Sequence, residues 1–354
     1  MVKLQKLREK LQENKLDAII IASGINRRYI SGFTGTAGVA VISDKDARFI
    51  TDFRYTEQAE AQTKGFQVIE HKQGLEAEVK KQLNEMNVSR VGFEKNYTTY
   101  GQFETYKKTF DVELIPVSGL VEALRMIKSP EELEIMKQAA KIADDAFVHI
   151  QSYIKPGVKE IEVANELEFY MRGKGATSSS FDTIVASGHR SAMPHGVASD
   201  KVIQIGELVT LDYGALYNGY CSDITRTVAV GEVSDELRKI YDIVLEANMR
   251  GVKEIKPGMT GIEADAVTTD YITEMGYGEN FGHSTGHGLG MEVHEAPGLS
   301  ARSEQKLEPG MVVTVEPGIY VAGLGGCRIE DDIVITKEGN ERLTTSSKEF
   351  IQLG

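Results

Sequence analysis

The sequence predicts an α/β domain followed by a larger α+β domain, and three observations carry that expectation. The first 125 residues alternate short helical and strand-like stretches, as a small layered α/β unit does. After them, two helical patterns precede a strand-rich region, and the same order then repeats. Charge divides at the same place: residues 1–126 hold 19 basic and 17 acidic side chains, whereas residues 127–354 hold 21 and 36. A chain of 354 residues has room for two cores at about 150 residues per domain. The boundary is expected near residues 118–128, giving domains 1–125 and 126–354.

In the first domain, Leu4, Leu7 and Leu11 have helical spacing, and Ala18–Ile21 is an apolar run short enough for a buried strand. Two β-rich stretches, Gly38–Ile42 and Arg48–Thr51, flank a polar turn and predict a hairpin. A helix near Tyr55–Lys64, a strand at Gln67–Glu70, a helix at Leu75–Met86 and a strand at Arg90–Phe93 complete it. This domain contains no catalytic motif, and its one histidine, His71, is expected at the surface. In the second domain, Ser129-Pro130-Glu131-Glu132 is a helix start, with Ser as cap, Pro in the first turn and Glu three residues after the cap. That helix is expected to run to about Ile154, where Lys155-Pro156-Gly157 stops it. Strands follow at Phe181–Ser187 and within Leu208–Val230, then helices at Asp235–Ile255 and Gly261–Met275, then a glycine-rich, strand-rich end.

The net charge of −13 argues against nucleic acid as a partner, because phosphate binding needs clustered Lys and Arg. Cys221 and Cys327 are too few and too far apart for a disulfide scaffold or a cysteine-built zinc site, which fits a reducing compartment. The charged opening segment is not a signal peptide, and no apolar run reaches the roughly 18 residues of a membrane span. A cytoplasmic protein is the expectation.

Chemistry concentrates in the second domain. Six of the seven histidines lie after residue 148, and His283, His287 and His294 fall within twelve residues among Gly282, Gly286, Gly288 and Gly290. His189 is expected to be structural. In Leu208–Val230, Asn218-Gly219 between two β-rich runs is a strong hairpin signal. If those two residues form the loop, Tyr217 faces Tyr220, Asp212 faces Thr225, and Asp223 is a diagonal neighbour of Asp212. Diagonal neighbours lie about 7–8 Å apart, near enough for both carboxylates to reach one ion. The alternative is a pair of acids facing solvent at strand ends. A shared cation is preferred, because an unpaired charge inside an apolar strand is costly. The same anomaly recurs where Met311–Val315 ends in Glu316-Pro317-Gly318. It recurs again in Cys327–Thr336, read as one strand with Arg328, Glu330 and Asp332 on one face. Glu330 needs a partner there, either Arg328 or a metal, and Arg328 has Asp332 as its plain in-strand partner.

Asp212, Asp223, Glu316 and Glu330 with one histidine from His283–His294 therefore form a candidate ligand set. Four carboxylates are too anionic for one divalent ion but neutralise two. An oxygen-rich set without thiolate favours Mn²⁺, Mg²⁺, Fe²⁺ or Co²⁺ over a structural zinc. Two such ions can hold a bridging hydroxide as nucleophile, with the remaining histidines moving protons or donating to an oxyanion.

These residues resemble the pita-bread metallopeptidases, which include methionine aminopeptidase, aminopeptidase P and prolidase. With the N-terminal α/β domain included, the resemblance to the Xaa-Pro peptidases covers essentially the whole chain. It implies that Asp212, Asp223, His287, Glu316 and Glu330 hold two divalent ions, Mn²⁺ first, with Co²⁺, Fe²⁺ or Zn²⁺ as alternatives. It implies Glu316 as base, His294 as donor to the peptide carbonyl, and His195 near the leaving proline nitrogen. His283 and Arg328 are similar to residues associated with proline specificity, and His283 with Tyr320 would wall the proline site. The activity implied is cleavage of Xaa-Pro dipeptides by a homodimer, with aminopeptidase P action on longer peptides as the alternative. Two rivals stand outside it: a non-catalytic peptide-binding module on the same fold, and a serine hydrolase. The latter is suggested by Gly282-His283-Ser284-Thr285-Gly286, which fits a nucleophile elbow only if a helix follows.

Overall fold

A computed structural model describes residues 2–354. The chain forms two compact units, Met1–Arg125 and Met126–Gly354. In the first, α1 (Val2–Glu13), β1 (Ala18–Ile21), α2 (Gly24–Ser31), β2 (Val39–Ser43), β3 (Ala47–Thr51) and α3 (Thr56–Gln62) come first. They are followed by β4 (Gln67–Glu70), α4 (Leu75–Glu85), β5 (Arg90–Glu94), α5 (Tyr100–Thr109) and β6 (Glu113–Val117). One sheet of order β4-β3-β2-β1-β5-β6 results. The β2–β3 hairpin is antiparallel, and β4, β5 and β6 join by parallel pairing through helical crossovers. Ile20, Val41, Ile50 and Val91 from the sheet pack with Val79, Leu83, Tyr106 and Phe110 from α4 and α5. Helices α2 and α5 and strand β6 were not among the expected elements. His71 is half-buried just after β4.

Short helix α6 (Glu122–Met126) leads to the second unit, where Ser129 caps α7 (Pro130–Ile150) in a capping box with Glu132. Helix α7 stops at Ile150 rather than Ile154, and α8 (Glu160–Gly173) follows. Strands β7 (Ser178–Ser179), β8 (Ile184–Ser187), β9 (Glu207–Tyr213), β10 (Ala215–Tyr217), β11 (Tyr220–Cys221) and β12 (Ile224–Val230) come next. Helices α9 (Asp235–Glu254) and α10 (Gly261–Glu274) separate them from β13 (Gly286–Gly288), β14 (Glu295–Leu299) and β15 (Val312–Val315). The chain ends with β16 (Gly318–Val321), β17 (Gly325–Arg328), β18 (Asp331–Ile335), β19 (Asn340–Arg342) and β20 (Gln352–Leu353). The main sheets have orders β20-β12-β9-β8 and β14-β13-β15-β18-β19, with small sheets β11-β10-β7 and β16-β17 beside them.

Two expectations are corrected here. The stretch Cys327–Thr336 is not one strand: β17 and β18 belong to different sheets, and the chain breaks between them at Ile329-Glu330. The hairpin Leu208–Val230 is likewise interrupted, so Asp223 stands in the break between β11 and β12. Its register nevertheless holds, since Tyr217 faces Tyr220, Tyr213 faces Ile224 and Asp212 faces Thr225. Asn218 and Gly219 both have positive φ, 48° and 86°, the conformation that a tight two-residue hairpin loop demands. Among the described residues, no helix is long and apolar enough to cross a membrane.

Alternation along β9 and β12 decides what faces the site. Val209, Leu211 and Tyr213 with Ile224, Val228 and Val230 pack under α7 and α8 against Phe147, Val163 and Leu167. The opposite face presents Thr210 and Asp212 beside Thr225 and Thr227, all buried. Polar groups sealed inside a protein require partners, and the next strands supply them.

Candidate metal centre

Asp223, His287 and Glu330 each bring one ligand atom to within 4.8 Å of the others. Glu316 joins them through Oε1, 3.4 Å from His287 Nε2, and Asp223 Oδ2 is 3.8 Å from the same nitrogen. Asp212 lines the same cavity, of about 510 Å³, with His195, His283, His294 and Arg328. Asp212 and Asp223 are 8% and 4% exposed, so they are not a pair of acids facing solvent at strand ends. His195 and His294 are exposed at the cavity lip, and the His294 ring stands edge-on to His287 at 4.4 Å between centroids. His189 is exposed on a 3₁₀ turn and is absent from the cavity lining.

Each ligand is held by a neighbour. His287 Nδ1 lies 3.1 Å from the Gly288 carbonyl, which places the proton there and turns the Nε2 lone pair to the acids. The His287 amide donates to Thr314 Oγ1, and that hydroxyl donates to Glu316 Oε1. Thr225 Oγ1 donates to Glu330 Oε2 at 2.6 Å, and Asp332 accepts the Asp223 amide at 3.0 Å. Strand β13 can lie this close to β15 because residue 286 is glycine: a Cβ there would sit 2.0 Å from the Thr314 carbonyl oxygen.

Arg328 joins the centre to its wall. Its guanidinium donates to Asp212 Oδ2, to Tyr320 Oη at 2.8 Å and to Thr225 Oγ1 at 3.2 Å. An in-strand pair with Asp332 is therefore not what it makes. Tyr320 Oη also lies 2.8 Å from His283 Nε2, while His283 Nδ1 faces the Ser284 carbonyl at 2.9 Å. Both His283 nitrogens are thus engaged, which suits a rigid wall better than a proton carrier.

The electrostatics follow from burial. Desolvation, reinforced by Glu330 and Asp212, pushes the Asp223 carboxyl well above its usual range. The same cause, with Glu316 and Asp212, raises Glu330 well above its own. Glu316 is pushed up to about 8, chiefly by burial, with Arg328 pulling the other way. Burial drives His283 and His287 down to about 4, so both imidazoles are neutral at pH 7. Burial opposes the charge of Arg328, yet Tyr320, Asp212 and Glu316 hold its pKa well above normal.

Three buried carboxylates and the half-buried Glu316, facing a neutral imidazole with one arginine for counter-charge, form a set that calls for cations. Asp212 Oδ1 and Asp223 Oδ1 are buried without a hydrogen-bond partner, as oxygens meant for a metal are. Oxygen donors with one nitrogen suit divalent ions of hard or borderline character. The nucleophile elbow fails on geometry, because strand β13 and not a helix follows Ser284.

The sequence reading did not find Thr225 and Thr314 as supports, although period two signals both: Thr225 faces Asp212, and Thr314 precedes Glu316 by two residues. Nor did it find Phe181, Ile184, Pro194, Val197 and Val293 in the cavity wall. Pro194, Val197 and Val293 lie on loops, which carry no periodic signal, and Ile184 opens β8.

Comparison with known proteins agrees with this geometry. Residues 134–337 match metallopeptidase family M24, and residues 3–127 match the creatinase/prolidase N-terminal domain. A solved structure described as an Xaa-Pro dipeptidase from Bacillus anthracis is 61% identical, with a TM-score of 0.99. The match covers 100% of this chain and 99% of that one. The Xaa-Pro dipeptidase of Pyrococcus furiosus is 43% identical over 99% of each chain. An X-Pro aminopeptidase from Thermotoga maritima is 42% identical with a TM-score of 0.92, covering 97% of this chain and 100% of its own. Divalent-metal peptide hydrolysis on a pita-bread fold is what these relationships and the buried carboxylate cluster share, and the chain belongs to metallopeptidase family M24.

Proposed function

We propose that this protein is an Xaa-Pro dipeptidase working with two divalent cations, Mn²⁺ first among them, held by Asp212, Asp223, His287, Glu316 and Glu330. The convergence of these five side chains on one cavity, with Arg328 bonded behind Asp212, carries the reading. Such cations, when bound, supply Lewis-acid chemistry that makes water nucleophilic at neutral pH. The chain's own residues do the rest. Glu316 receives the proton that the attacking water releases. Exposed at the lip, His294 donates to the oxygen of the scissile carbonyl. Across the cavity, His195 meets the proline nitrogen as it leaves. Tyr320 and His283, locked to each other and to Arg328 with their rings tilted at 48°, form the wall against which the proline ring packs.

Aminopeptidase action on longer peptides is the second reading, supported by the Thermotoga neighbour at almost the same identity as the dipeptidase relative. Hydrolysis of Ala-Pro against Ala-Pro-Ala, after EDTA treatment and Mn²⁺ reconstitution, separates the two. Cleavage confined to Ala-Pro supports the dipeptidase, and cleavage confined to the tripeptide transfers the assignment. Activity that survives chelation but is lost to a serine-directed phosphonate overturns both. A homodimer belongs to the same reading and is checked by light scattering.

A further inference from the structure

The cavity side chain with the least direct support is His195. It is exposed, and among the described residues its ring has no hydrogen-bond partner, so its position follows the loop between β8 and β9. Gly326 and Ile184 touch the loop at Ser191 and Val197, and a buried carboxylate ties its base. Glu160, the first residue of α8, is fully buried. Its Oε1 accepts from the Ser187 amide and the Ser187 hydroxyl, both at 2.8 Å. Its Oε2 accepts from the Ser199 amide at 3.2 Å, the Ser199 hydroxyl at 2.7 Å and the Arg190 guanidinium. One carboxylate therefore holds both limbs of the loop.

Neighbouring groups complete the strap. The other arm of Arg190 donates to the Val197 carbonyl at 2.8 Å, crossing the loop just beyond His195. Lys201 donates to Ser187 Oγ at 2.8 Å and is neutralised by Glu207. The amides of Glu160 and Ile161, free at the start of α8, donate to the Lys201 and Ser199 carbonyls. Met193 and Val197, at the tip, remain about half exposed. The loop thus has a rigid base and an exposed tip, closed by the Arg190–Val197 bond and by a bridge between Val197 and Ile184.

We propose that Glu160 is a positioning residue that places His195 over the cavity, an inference that rests on the reading of His195 as a group that meets substrate. The chemistry requires a carboxylate. Every group facing Glu160 is a donor, so it must accept on both oxygens at once. Glutamine matches its shape but offers only one acceptor, and its amide would face either the Ser187 pair or the Ser199–Arg190 set, donor against donor. One limb of the loop is then released. A small displacement of a group at the reacting atoms is amplified in rate, by up to about 100-fold for about 1 Å.

A double-mutant cycle on the Mn²⁺-loaded full chain tests the idea, with Ala-Pro as substrate and bound metal measured alongside. Glu160→Gln is expected to lower kcat/KM by about 10- to 100-fold, mostly in kcat, with metal content unchanged. In the His195→Ala background the same substitution is expected to change the rate less than about threefold, since the two residues act as one unit. Equal losses in both backgrounds, or a loss that tracks departing metal, overturn the proposal while leaving His195 as assigned. An unchanged rate in His195→Ala alone overturns the reading of His195 and the proposal with it. If Glu160→Gln does not fold, Ser199→Ala removes one tie from the far limb and enters the same cycle, with a several-fold loss expected to vanish in the His195→Ala background.

Discussion

Without metal the protein should become less stable as pH rises from 6.5 to 8, an interval in which a surface of ordinary carboxylates, ionised in both states, contributes no slope. Glu316 ionises near its usual 4.5 in the unfolded chain but near 8 in the folded one. Below about 4.5 both states hold the proton and nothing is lost. Above it the unfolded state sheds the proton first, so stability falls until pH passes 8. His283 and His287 act in the opposite sense, because their folded values near 4 lie below the unfolded 6.5. Their contribution is complete above 6.5 and is lost as pH falls toward 4. Between 6.5 and 8, therefore, only the raised carboxyls act. For Glu316 alone, 1.5 pH units at about 1.4 kcal/mol each give about 2 kcal/mol. Asp223 and Glu330 are shifted in the same direction and steepen the fall. A domain of this size should then lose about 4–8 °C in Tm over that interval. Thermal unfolding of EDTA-treated protein, with and without saturating Mn²⁺, measures it. Metal should stabilise more at pH 8 than at 6.5, and Glu316→Gln should flatten the metal-free slope. A metal-free Tm that is constant or rises from pH 6.5 to 8 would refute the electrostatic account of the cluster.

Three further outcomes follow from the same geometry. Arg328→Ala strands the buried Asp212 carboxylate and leaves the Tyr320 hydroxyl with His283 alone, and should cost about 3–5 kcal/mol in urea unfolding of the loaded protein. Gly286→Ala pushes a methyl group to 2.0 Å from the Thr314 carbonyl, so β13 must move away from β15; about 3 kcal/mol of lost stability and weaker metal binding are expected from unfolding and elemental analysis. Asp223→Asn should lower bound metal and abolish peptide cleavage with an unchanged far-UV spectrum; full occupancy in that variant would remove Asp223 from the ligand set.

Much of the site could be read along the chain because its parts rest on local rules. The Asn218-Gly219 turn sets the hairpin register, and register alone places Asp212 opposite Thr225. An acid in an apolar strand is an anomaly wherever it occurs, so Asp212, Asp223, Glu316 and Glu330 stood out without any knowledge of their neighbours. Period two then misled at Cys327–Thr336, since it assumes an unbroken strand. At Ile329-Glu330 the chain passes from one sheet to another: β17 pairs with β16, and β18 pairs with β15.

By itself the sequence determined most of the order of elements, the hairpin register, the Ser129 cap and the identity of the acids and histidines that needed explaining, because each follows from residues close along the chain. Only the tertiary structure decided that Arg328 braces Asp212, that Tyr320 and His283 lock together, and that Glu160 grips both limbs of the His195 loop. Those contacts join residues whose meeting depends on how separate strands and helices pack. Buried charge has no energetically acceptable arrangement except the one in which distant partners arrive together.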